Sequence, residues 1–108
     1  MKILYVDIDG VLANFKKGVA NSGLTKKYKG RPDKIPGVYK NLPLIKGAKN
    51  SIEKLFNSGL YDIYFLSSAP WDNPHAWTHK RLWVEKHFGP QIRKRLILSH
   101  RKDLQLGD

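Results

Sequence analysis

Residues 3–6, Ile-Leu-Tyr-Val, run without interruption into Asp7-x-Asp9-Gly10. An apolar run with no polar alternation suits a strand buried on both faces, as in a parallel α/β sheet. A turn follows at Asp9-Gly10. Leu12, Phe15 and Val19 then recur at helical spacing, and Asn21-Ser22-Gly23 stops that helix. Two acids so close behind the apolar run do not suit a signal peptide. No apolar run reaches the roughly 18 residues of a membrane span. The chain therefore reads as soluble and cytoplasmic.

The rest of the chain repeats the alternation of strand and helix. Gly47 to Gly59 is a helix with Ala48, Ile52, Leu55 and Phe56 on one face and Gly59 as its stop. Tyr61 to Leu66 is a second strand that ends at Ser67-Ser68-Ala69-Pro70. Asn73 reads as an N-cap and Pro74 as the first position of a third helix, which runs to about Phe88 before Gly89-Pro90. Leu96-Ile97-Leu98 is a third strand, ending at Ser99-His100. This order predicts parallel strands joined by right-handed crossovers. The 108 residues form one domain, 1–108. Zero cysteines exclude a disulfide scaffold, a thiolate zinc site and a thiol nucleophile.

One stretch breaks the alternation. Residues 22–46 are rich in Gly, Pro and basic side chains and show little periodicity. So long a connection in a small domain usually binds something, and it reads as a cap or lid. It also lies within the most basic part of the chain. Residues 16–49 hold ten Lys or Arg against one acid, Asp33, within a net charge of +11. Such a field attracts anions: phosphorylated metabolites, nucleic acid or acidic membrane. Tyr28 and Tyr39 are interspersed, but no nucleic-acid motif accompanies them, so nucleic acid is not the favoured partner.

In an open parallel sheet, ligands bind beyond the carboxyl ends of the strands. Three polar clusters fall there: Asp7-x-Asp9, Ser67-Ser68 and His100-Arg101-Lys102. Asp9-Gly10 alone could be turn chemistry, but its place after a buried strand, with two further clusters, points to a site. Two like charges so close need a cation or metal between them. One carboxylate can then act as nucleophile and the other as proton donor. Ser67 and Ser68, just before a helix, could cradle phosphate or merely turn the chain. Lys80 falls inside the third helix's apolar arc of Ala76, Trp77, Trp83, Val84 and Phe88. It either snorkels along apolar surface or reaches the site. His87 shares the arc, further from the site, and reads as a core or rim histidine. Lys102 resembles any surface lysine except in following the third strand, where it could hold a phosphoryl oxygen.

Asp7-Ile8-Asp9-Gly10-Val11-Leu12 resembles motif one of the haloacid dehalogenase-like phosphatases, with Ser67 fitting motif two and Lys102 motif three. Further stretches resemble the 5'(3')-deoxyribonucleotidase family: the continuation Ala13-Asn14-Phe15, Gly37-Val38-Tyr39 with Leu44 to Ala48, Leu66 to Trp71, Lys80 to Val84 with Phe88-Gly89, and Arg101 to Leu104 with Gly107-Asp108. The resemblance implies a three-layer Rossmann-like parallel sheet with a small cap insertion after the first strand. It implies a Mg²⁺-dependent phosphatase of 5'-nucleotidase type acting on (deoxy)nucleoside monophosphates. Asp7 would be the nucleophile, forming an aspartyl-phosphate. Asp9 would be general acid and then base, and Mg²⁺ would bind at Asp7 and at the Asp9 backbone carbonyl. Ser67, Ser68, Lys80 and Lys102 would hold the phosphate, and Phe15 and Tyr39 would face the base and sugar.

The family carries an acidic pair about five residues after the Gly-Asp that ends this sequence, on a fourth strand beside the first. By that measure the C-terminal strands are missing and the chain reads as truncated. The first strand would then offer an edge for a homo-oligomer. The alternative to an enzyme is an inactive remnant whose basic face binds nucleic acid or another protein.

Overall fold

The computed structural model describes residues 2–100. Three strands, β1 (Lys2–Asp7), β2 (Tyr61–Ser68) and β3 (Leu96–Ser99), pair in parallel in the order β1-β2-β3. Helices α1 (Phe15–Ser22), α2 (Ala48–Ser58) and α3 (Ala76–Phe88) lie between them along the chain. The class is α/β with a parallel sheet, as the order of elements requires.

Local chemistry explains most boundaries. Gly23 and Gly59 end α1 and α2 in the left-handed conformation, with φ of 72° and 68°, where a residue bearing a Cβ is strained. Asn14 caps α1 by accepting from the Lys17 N–H at 3.1 Å. Between α1 and α2 the chain holds no helix longer than the 3₁₀ turn Pro32–Lys34. That stretch is nonetheless packed. Ile35, Val38, Tyr39 and Leu42 are buried with Ile8, Leu12, Ile52, Phe65, Trp83 and Phe88 in one core. Phe65 of β2 meets Phe88 of α3 edge to face at 4.9 Å.

Four expectations need correction. Residues 3–6 are half-buried, not buried on both faces. Among the described residues β1 stands at one end of the sheet. Only the face carrying Leu4 and Val6, in register with Ile63 and Phe65, packs into the core. Leu12 belongs to the turn before α1, where the N–H groups of Leu12 and Ala13 both donate to Ile8 O at 2.8 Å. Trp77, placed in the buried arc of α3, is 38% exposed, whereas Ala76, Lys80, Trp83, Val84 and Phe88 are buried. Finally, α3 begins at Ala76, with His75 in the cap position and Pro74 in the preceding turn. The Asn73 side chain is committed elsewhere: its amide donates to Asp33 O at 3.0 Å and to Ile35 O at 3.4 Å.

Candidate functional site

The sheet register brings the first two polar clusters together at the end of β3; Arg101 and Lys102 of the third lie outside the described residues. Asp7 pairs with Leu66, and Ser67 and Ser68 pair with Leu98 and Ser99, so all three strands end along one edge. Beyond β1, the chain turns sharply through Gly10 at φ 82°. Gly10 N–H donates to Ala13 O at 2.9 Å and Ala13 N–H to Ile8 O at 2.8 Å. This turn sets Asp9 over the strand ends while Asp7 stays exposed.

Lys80 joins these parts. Its side chain is 2% exposed and its ammonium lies 2.8 Å from Asp9 Oδ2. It also donates to Ser67 Oγ at 2.6 Å and to Ser68 O. Three N–H groups thus meet a carboxylate, a hydroxyl and a carbonyl. The inward lysine of α3 reaches the site; it does not snorkel. Ser67 is buried and Ser68 exposed, so the pair presents one hydroxyl to the interior and one to solvent. Asp9 Oδ1 is buried with no donor among the described residues, an arrangement that a proton or a cation would relieve.

Phe15 and Tyr39 stand on the Lys80 side of this cluster. Their rings stack with centroids 5.5 Å apart and an interplanar angle of 16°. The Lys80 ammonium lies 4.4 Å from the Tyr39 ring centroid. Burial first, and then the carboxylates of Asp9 and Asp33, push the Tyr39 phenol well above its ordinary value, so the ring stays neutral. Lys102 lies outside the described residues.

The donor set suits a hard divalent cation. The Asp7 carboxylate is exposed at the end of β1. The Asp9 carbonyl receives no backbone N–H among the described residues, because the turn bonds pass through Ile8 and Ala13. Mg²⁺ takes oxygen ligands of this kind, using one or two carboxylates and keeping several waters. The described residues hold no group of three or more His, Asp or Glu side chains placed to hold a metal.

Two residues at the site carry roles that sequence reasoning missed. Asn73 reaches back to the 33–35 backbone. Trp83 donates its indole N–H to Leu42 O at 2.7 Å. A buried indole needs an acceptor, which was the available signal for Trp83; nothing local marked the target of Asn73. A concavity of about 940 Å³ is a separate groove between α3 and β3 lined by Trp77, Arg81, Val84, Leu96 and Leu98 among others. It holds none of these site residues. No helix of the described residues is long and apolar enough to cross a membrane.

Fold and site together define an α/β domain with a carboxylate–lysine–serine cluster at the carboxyl edge of a parallel sheet. No family model matches the sequence. Individual relatives do. A protein of Vibrio phage KVP40 named "Putative 5'(3')-deoxyribonucleotidase" is 45% identical over 107 residues, covering 97% of this chain and 62% of that protein. The cytosolic-type 5'(3')-deoxyribonucleotidase of Homo sapiens is 27% identical over 133 residues, covering 95% of this chain and 66% of the human protein. A protein of Bordetella bronchiseptica with the same name as the phage one is 36% identical over 73 residues, 68% of this chain and 39% of its own. The chain is similar to the phage and human proteins over nearly its whole length and to the Bordetella bronchiseptica protein over 68% of it, and it spans less than two thirds of the length of each of these relatives.

Proposed function

We propose that this chain is a phosphomonoester hydrolase of 5'-nucleotidase type, acting on (deoxy)nucleoside monophosphates in the cytoplasm. The observation that carries this reading is the buried Lys80, held against Asp9, Ser67 and Ser68 at the sheet edge. It does so in a homologue of proteins named deoxyribonucleotidases. A buried ammonium at the strand ends, beside a serine hydroxyl, can exchange its present acceptors for phosphoryl oxygens. In this reading the domain follows the three-layer haloacid dehalogenase-like plan, and residues 22–46 form its cap.

The exposed Asp7 carboxylate attacks phosphorus, forming an Asp7 O–P bond as the ester O–P bond breaks. The leaving oxygen takes its proton from the Asp9 carboxyl. Asp9, now a carboxylate, takes a proton from water, whose oxygen attacks phosphorus. Phosphate leaves and Asp7 is restored. Lys80, Ser67 and Ser68 hold the phosphoryl oxygens through both steps, with Lys102 as a second cation. Mg²⁺ held by the Asp7 carboxylate and the Asp9 carbonyl would neutralise the phosphoryl oxygens as the anionic carboxylate approaches.

Release of inorganic phosphate from a panel of (deoxy)nucleoside monophosphates, with and without Mg²⁺, tests the assignment. Asp7→Asn should abolish turnover, and Asp9→Asn should slow it while allowing an aspartyl-phosphate to accumulate. Wild-type rates for Asp7→Asn would sink it.

A further inference from the structure

Tyr39 comes from a stretch with almost no regular secondary structure, yet it is only 4% exposed. What fixes it is α3 and the turn before it. Asn73, three residues ahead of α3, donates to Ile35 O at one end of the 35–42 stretch. Trp83, on α3, donates to Leu42 O at the other end. The helix that anchors this stretch also carries Lys80, so ring and ammonium share one rigid frame. With Phe15 stacked on it and Lys80 over it, the ring has little surface left for a ligand.

The ammonium has a particular need for such a neighbour. Its three N–H groups are spent on Asp9, Ser67 and Ser68. An aromatic face adds favourable potential without consuming a donor. It therefore keeps compensating the charge when those acceptors are exchanged for phosphoryl oxygens. We propose that Tyr39 is a positioning residue whose ring holds the Lys80 ammonium in place at the phosphate position, and that it does not contact the base or sugar. The value of that placement for phosphate binding rests on the reading of Lys80 given above.

Replacing Tyr39 by Phe, and then by Phe carrying one, two and three ring fluorines, keeps the ring's shape while draining its negative face. The first readout is the Lys80 side-chain NMR signal in the ligand-free protein. The ring should shift the ε protons upfield, and the ammonium N–H exchange should quicken along the fluorine series. The second is the affinity for inorganic phosphate, which should survive Tyr39→Phe within about twofold and weaken about tenfold by the trifluoro ring. Lys80 signals indifferent to fluorination would overturn the inference, as would a flat affinity series in a protein whose Lys80→Gln variant has lost phosphate binding. A Lys80→Gln variant that binds phosphate normally would instead sink the phosphate reading, and the Lys80 signals would still decide whether Tyr39 holds the ammonium.

Discussion

Lys80→Met keeps most of the lysine's aliphatic stem and deletes its ammonium. Three acceptors then lose an ammonium N–H: Asp9 Oδ2, Ser67 Oγ and Ser68 O, the first and last keeping a long contact from the Ser67 hydroxyl at 3.5 and 3.4 Å. Removing one partner of a buried ion pair costs about 3–5 kcal/mol. Asp9's side chain is 29% exposed, so its carboxylate recovers some hydration, and Ser68 is open to water. Ser67 is buried and cannot recover as much. The expected loss is therefore about 2–3 kcal/mol, at or below the lower end of the buried-pair range. Adding Asp9→Ala removes the stranded carboxylate, including the Oδ1 that has no donor among the described residues. The double variant should regain much of the loss, because a buried pair is held at a desolvation cost that its absence relieves. Urea unfolding followed by tryptophan fluorescence would measure this, through a lower midpoint at unchanged slope. A Lys80→Met protein within about 0.5 kcal/mol of wild type, or single losses that simply add in the double variant, would show that the ammonium is not the buried, paired group described here.

Two further outcomes follow from the same geometry. Asn73→Ala removes both donors that hold the 33–35 backbone and should cost about 1–3 kcal/mol, read as a lower unfolding temperature together with faster amide exchange at Val38 and Tyr39. Burial, then His75 and Lys40, hold the His79 pKa below its ordinary value, while burial, then Lys86 and Lys49, do so for His87. Between the lowered folded values and the ordinary value near 6.5, the unfolded chain binds more protons. The contribution of these histidines to stability is thus present above about pH 6.5 and is lost as pH falls below it. His79→Asn with His87→Asn should flatten the fall in unfolding midpoint between pH 7 and pH 5, and an unchanged slope would contradict the assignment.

The strand and helix order was legible because its signals are local. The apolar run at 3–6, the glycines at 23 and 59 and the helical spacing of Ala48 and Ile52 each act within a few residues. A parallel sheet built from that order aligns its carboxyl ends, which is why Asp7, Asp9, Ser67 and Ser68 could be grouped before any coordinates. The spacing of α3 also turned Lys80 inward, but could not say whether the lysine followed apolar surface or met a partner. That was decided by Asp9, 71 residues away in sequence. The same holds for Asn73, which fits a helix cap by type and spacing but spends its amide on backbone 38 and 40 residues earlier. The contacts of Tyr39 were likewise not legible locally: Asn73 and Trp83 tie down the stretch that carries it, and its ring lies against Lys80. Local backbone preferences and side-chain periodicity are properties of short windows, and the sequence determines them directly. The partner of a buried polar group is whichever distant residue the assembled sheet and helices bring within hydrogen-bond reach, and only the tertiary structure supplies it.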